Sequence, residues 1–165
     1  MLDKKGFSMI EVIICMAIVA VLSVSAFSLS DHLQYANVKK CAKQLNQKLE
    51  TARMVSMSKS GQWQFYVYKE DDGIYYYLTN SGTLDRTKGV KLGSSDIKLY
   101  ATPQGGTETE ITAGDGNVVH IHFTKNTGSF TTKDGATIYE SIRMEKKSSN
   151  YVMKLVAQTG KHYIE

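Results

Sequence analysis

Hydrophobic and polar residues follow three different rhythms along this chain, and each predicts a different element. Positions 7–29 are apolar or small, with Glu11 the one charge among them. These 23 residues, at about 1.5 Å per helical residue, are long enough to cross a hydrocarbon core of about 30 Å, so they are read as a transmembrane helix. Beyond it Val38, Cys41, Ala42, Leu45, Leu49, Ala52 and Val55 recur at three- and four-residue steps, the pattern of an amphipathic helix continuing to about Ser60. Such a stripe needs a cover. From Gln62 onward the period falls to two, which predicts strands.

Within that third region, WQFYVYK at 63–69 alternates, putting Trp63, Phe65 and Val67 on an inner face and Gln64, Tyr66 and Tyr68 on an outer one. Glu70, Asp71, Asp72 and Gly73 turn the chain, and IYYYLT at 74–79 returns as the second hairpin arm. Further strands are expected at IKLYA from Ile97, VVHIHF from Val118, TIYESIRME from Thr137, YVMKLVA from Tyr151 and KHYI from Lys161. Clusters of Gly, Asn and Asp separate them. Residues 83–116, rich in Gly, Thr and Ser, read as a long surface loop around one or two short strands. The fold class is therefore α+β: a long N-terminal helix, transmembrane in its first half and amphipathic in its second, packed on an antiparallel head of about six to eight strands. The regions are 1–6 before the helix, 7–29 in the membrane, 30–60 amphipathic, and 61–165 the head. Residues 30–165 are expected to fold without the apolar segment, because the amphipathic helix can still cover the sheet.

An ionised carboxylate in a membrane helix costs a few kcal/mol unless it is paired or reaches water, so Glu11 requires an account. Snorkelling to the headgroups is one, since Lys5 lies about a turn and a half away. A cleaved secretory signal fits poorly, its apolar region being too long and carrying an acid, although Ser23, Ser25 and Ala26 imitate a cleavage site. A lipoprotein signal would need small residues before Cys15, where Ile13 and Ile14 stand. A plain anchor held by Lys4 and Lys5 on the cytoplasmic side explains everything except Gly6 and Glu11.

The run KKGFSMIEVII at 4–14 resembles the leader of type IV prepilins and pseudopilins: a short basic segment ending in glycine, an aromatic residue, and glutamate fifth after the glycine. That resemblance implies cleavage by a prepilin peptidase between Gly6 and Phe7, methylation of the new amine, and retention of the apolar helix. It also implies the role of Glu11 in assembly. The carboxylate of an incoming subunit meets the Phe7 amine of a neighbour, and two charges that are each costly in lipid become tolerable as a pair. The family's extreme tip subunit often lacks this glutamate. A finer likeness is to the GspH/FimT-type minor pseudopilins, carried by LNQKLETARMVSMSKSGQ at 45–62, HFTKNTGSF at 122–130 and LVAQTGKHYI at 155–164. The family often has Ser-Glu-Ala after the arginine; here Met54, Val55 and Ser56 follow Arg53.

Composition changes little in this reading. The formal charge is +4, or +3 once Asp3, Lys4 and Lys5 leave, too mild a balance to prove a nucleic-acid partner. Lys39, Lys40, Lys43, Lys48 and Lys59 lie mostly off the apolar stripe and read as a solvated helix surface before they read as a DNA stripe. Cys15 and Cys41 stand 26 residues apart, about 39 Å along a continuous helix, and so cannot bridge within one chain. His120 and His122 share a strand face and could give a metal two ligands, but no third is placed to complete the site. No phosphate loop, nucleophile elbow or CxxC pair is present. The tyrosines 66, 68, 75, 76 and 77 could stack on sugars or bases, cross-strand pairing being the commoner cause.

The expectation is thus a non-enzymatic subunit without cofactor or metal, a minor pilin or pseudopilin of a pilus or a type II secretion-like system. Its processing residues are Gly6 and Phe7, and its assembly residues Glu11 and Phe7. Its partners are the prepilin peptidase, other subunits through the N-terminal helix, and an assembly platform in the cytoplasmic membrane, which the chain spans once with the head outside before entering a filament. The rivals are a head that captures DNA for uptake in competence, using Arg143, Lys146, Lys147, Lys154 and Lys161, and a simple membrane-anchored binding protein.

Overall fold

A computed structural model of the chain describes residues 8–114 and 116–165, except the side chains of 24–34. Helix α1 spans Met9–Ser58. Ten strands follow: β1 (Gln64–Glu70), β2 (Gly73–Thr79), β3 (Val90–Ser94), β4 (Lys98–Pro103), β5 (Thr109–Ile111), β6 (Val119–Phe123), β7 (Phe130–Thr131), β8 (Tyr139–Lys146), β9 (Ser149–Val156) and β10 (Lys161–Ile164). The chain divides into an N-terminal unit ending at Gln34 and a head, Tyr35–Glu165.

In the N-terminal unit Ser8 opens the helix, its carbonyl accepting from the backbone N–H groups of Glu11 and Val12 at 3.0 and 3.3 Å. Met9, Ile10, Ile13, Met16, Val19 and Leu22 are all exposed. Among the described residues no helix is long and apolar enough to cross a membrane. The span expected over 7–29 is therefore not supported. Phe7 and the side chains of 24–34 lie outside the described residues. The expected leader, 1–6, lies outside them as well.

In the head, Val38, Cys41, Ala42, Leu45, Leu49 and Ala52 are buried as the stripe predicts, while Val55 is only half-buried and Ser56 takes the next inward place. The strands form two five-stranded antiparallel sheets, in the orders β3-β2-β1-β6-β7 and β10-β9-β8-β4-β5. One continuous core joins the helix stripe to Phe65, Val67, Ile74, Val119, Ile121 and Phe123 of the first sheet and to Leu99, Ala101, Ile142, Met144, Met153 and Leu155 of the second. The helix thus covers both sheets with one face.

Several strand expectations need correction. The head has ten strands in two sheets where six to eight were expected, and 83–116 holds β3, β4 and β5. Trp63 is not an inner residue of β1. It precedes the strand, is half-buried, and its indole N–H donates to the Ser60 carbonyl at 3.3 Å. The outer face of β1 is not open either, since Gln64, Tyr66 and Tyr68 are all buried. The segment 80–89 crosses it: the Tyr68 hydroxyl donates to the Arg86 carbonyl at 3.1 Å, the Arg86 guanidinium sits 5.1 Å from the Tyr68 ring, and the Tyr66 hydroxyl lies 3.4 Å from the Gly82 carbonyl.

Candidate functional site

Glu11 is the one assembly residue of the sequence analysis that can be placed; Gly6 and Phe7 lie outside the described residues. Its carboxylate accepts the backbone N–H of Ser8 at 2.8 Å. This is the reciprocal half of a capping box, in which an acid at the third helical position satisfies a donor the helix leaves orphaned. The acid therefore has a partner within its own chain, one residue from Phe7. Only Oε2 is used in that bond, so Oε1 remains for a cation.

The five cations proposed for DNA do not form one surface. Arg143, Lys154 and Lys161 share the outer face of the second sheet by register, Lys146 points to the opposite side of β8, and Lys147 occupies the β8–β9 turn at φ 52°. Arg143 is consumed. It donates from Nε and Nη2 to the two carboxylate oxygens of Glu108 at 2.9 and 2.6 Å, pairs with Glu145, and lies 3.9 Å from the Tyr100 ring centroid. Those acids raise its pKa further, as it in turn lowers that of Glu108. Lys146 pairs with Asp96 and lowers that carboxyl's pKa. Two of the five positive charges are thus neutralised by neighbours.

His120 and His122 share the outer face of the first sheet, as the alternation requires, but they have separate partners. His122 Nδ1 lies 3.2 Å from a carboxylate oxygen of Asp134, and His120 stacks on Tyr66 with ring centroids 4.3 Å apart. Burial lowers the pKa of His120. Among the described residues no group of three or more His, Cys, Asp or Glu side chains could hold a metal ion. A recess of about 290 Å³ beside His122 is lined by Ser56, Gln62, Trp63, Lys125 and Lys133. Its one buried hydroxyl, Ser56 Oγ, donates to the Ala52 carbonyl at 2.8 Å, so no Ser–His pair is assembled there. Tyr68 and Tyr75 pair across strands with centroids 5.9 Å apart; Tyr76 points the other way, stacked on Phe65 at 5.6 Å.

Arg53 makes the junction that spacing alone does not reveal. Its Nε donates to the Gly128 carbonyl at 3.1 Å and its Nη2 to the Thr159 carbonyl at 3.0 Å, tying the end of α1 to the β6–β7 turn of one sheet and the β9–β10 turn of the other. The Phe130 N–H donates to the Ala157 carbonyl at 3.1 Å and links the same two turns directly. The segments 45–62, 122–130 and 155–164, which carry the finer resemblance, meet at this point. The glycines in the second and third were the available signal: Gly128 and Gly160 adopt φ of +64° and +65°, and a Cβ on Gly160 would fall 1.7 Å from the Gly128 carbonyl oxygen.

Comparison with known proteins leaves the head unassigned: no curated protein and no solved structure matches the chain. The N-terminus does match. Residues 1–27 fit the prokaryotic N-terminal methylation motif, and this supports a type IV pilin-like N-terminus of the kind that prepilin peptidase processes.

Proposed function

We propose that the chain is a minor pilin or pseudopilin, a non-enzymatic structural subunit of a type IV pilus or a type II secretion-like pseudopilus, with a head of the GspH/FimT type. Prepilin peptidase cuts between Gly6 and Phe7 and methylates the new amine. The segment 7–29 holds the chain in the cytoplasmic membrane with the head outside, and then packs with the same segment of other subunits on the assembly platform. The observation that carries this reading is the match of residues 1–27 to the methylation motif, with Glu11 inside it. The exposed side chains of Met9, Ile10, Ile13, Met16, Val19 and Leu22 support it, because so long an apolar surface calls for lipid or a partner helix. So does the Arg53 junction, which gives the three head segments of the resemblance a common structural purpose.

Glu11 supplies the test, because its two possible roles separate by substitution. Glu11→Leu removes cap and charge; Glu11→Gln keeps the cap, since glutamine also serves in capping boxes, and removes only the charge. If the charge docks on a neighbour's Phe7 amine, both variants are made and cleaved normally but enter filaments poorly. Leucine does worse, since it leaves a buried ammonium unpaired at a cost of several kcal/mol. Recovery of each variant with sheared surface filaments, or with pilin partners in membranes, is the assay. Wild-type recovery of the glutamine variant would reduce Glu11 to a helix cap, and wild-type recovery of both would leave a plain membrane anchor.

A further inference from the structure

The head begins in a cluster of aromatic and basic side chains that the account of assembly leaves unused. From Tyr35 to Leu49 the sequence holds four lysines, Lys39, Lys40, Lys43 and Lys48, and no acid. Lys39 Nζ stands 5.4 Å from the centroid of the Tyr35 ring, and that ring packs 5.6 Å from Tyr151 on β9. Tyr35 is nevertheless 46% exposed, so the contact does not bury it. Tyr151 lies opposite Met144, and the register runs on to the pair Lys146 and Ser149, which brings the turn bearing Lys147 to the same end of the head. Of the acids at this end, Asp96 is paired with Lys146, Glu145 with Arg143 and, on the β1–β2 turn, Glu70 with Arg86 and Asp72 with Lys91, while Asp71 is exposed on the same turn. Among the described residues no carboxylate pairs with Lys39, Lys40, Lys43 or Lys147.

We propose that this end of the head, which carries Tyr35, Tyr151, Lys39, Lys40, Lys43 and Lys147, is an interfacial collar that docks on the anionic headgroups of the membrane holding the segment 7–29. The inference rests on the membrane reading of that segment. Tyrosine rings are enriched at headgroup depth, where one edge is apolar and the other wet, and lysines near an anionic lipid surface are each attracted to it. Sequence distance makes the contact reachable: Tyr35 follows Leu29 by six residues and Lys39 by ten. A collar of this kind would hold the head against the bilayer until the subunit is drawn into a filament, and would let it go in lipid without net charge.

The test is amide hydrogen exchange on the full chain, reconstituted in vesicles of phosphatidylcholine alone or of equal parts phosphatidylcholine and phosphatidylglycerol. Residues 36–43 and 146–151 should exchange at least about fivefold more slowly in the anionic vesicles, the factor that corresponds to one lysine at the surface. Strand β1 serves as the internal control and should not change. The triple variant Lys39→Gln, Lys40→Gln, Lys147→Gln should lose the difference, the matching arginine variant should keep it, and added salt should erase it. Equal exchange in the two lipids, with the chain still inserted, overturns the collar and leaves the membrane reading standing. Protection that grows with protein density in both lipids means that a second copy covers the patch, which also overturns it. A chain that stays with neither vesicle refutes the membrane reading, and the collar with it.

Discussion

Replacing Gly160 by alanine should damage the head far more than any ordinary glycine-to-alanine change in a turn. Gly160 has φ +65°, where a side chain costs about 1–2 kcal/mol in the backbone alone. A Cβ there would sit 1.7 Å from the Gly128 carbonyl oxygen and 2.8 Å from its carbon, and this is backbone against backbone, so no rotamer change relieves it. The β9–β10 turn must move away from the β6–β7 turn by more than an ångström. Arg53 then cannot hold both the Gly128 and Thr159 carbonyls, and one charge-assisted bond worth about 1.5–3 kcal/mol is lost. The sum is about 3–5 kcal/mol. For a head of roughly 130 residues, with an unfolding entropy of about 2.1 cal/mol/K per residue, that is a fall in Tm of about 10–18 °C. Gly105→Ala is the matched control: its φ is +70° and nothing lies within 4 Å of the added carbon, so it should lose only the backbone cost, about 4–7 °C. Thermal unfolding of residues 30–165 followed by circular dichroism gives both numbers. Equal Tm values for the two variants would refute the argument that the two turns are packed backbone to backbone under Arg53.

Other expectations are simpler to state. Burial pushes the Cys41 thiol up to about 12, so iodoacetamide at pH 8 should spare Cys41 in the folded fragment 30–165 and label it once the head is unfolded; labelling of the folded head would contradict the core described. The same burial favours the protonated thiol in the fold, so its contribution to stability is present below the unfolded pKa near 9 and is lost as pH rises toward 12. His120 has the opposite sign: burial lowers its pKa from about 6.5, so the fold prefers the neutral ring and loses stability as pH falls below that value. Urea unfolding at pH 7 and pH 5 should show this loss, and His120→Phe should flatten it; an unchanged pH dependence in that variant would count against it.

The sequence disclosed the parts of the head that repeat a period against one core. The helix stripe was readable from Val38 to Ala52 because each step of three or four lands on the same face, and β2, β6 and β10 were readable because their alternation or apolar runs meet clear turn signals. The burial of Tyr66 and Tyr68 was not, since the cover comes from residues 80–89 and a tyrosine suits wet and dry faces alike. Strands β3, VKLGS, and β7, only Phe130 and Thr131, are too short or too rich in Gly and Ser to show a period. The division into two sheets depends on pairings such as β1 with β6 and β4 with β8, which join positions tens of residues apart. Arg53 was visible as part of a motif, but its partners lie 75 and 106 residues away, and only the glycines beside them hinted at a close approach. Glu11 stood out by its isolation in an apolar run, a signal that local charge alone supplies, and the structure adds its bond from the Ser8 N–H.

The most direct test of the account is the mass of the mature chain. Expressed with a prepilin peptidase and extracted from membranes, the protein should begin at Phe7 and carry one added methyl group, while Gly6→Leu should remain uncut because the peptidase accepts no bulky side chain there. A wild-type chain that keeps Met1 in the presence of active peptidase, or one that begins near Ala26, would contradict the account.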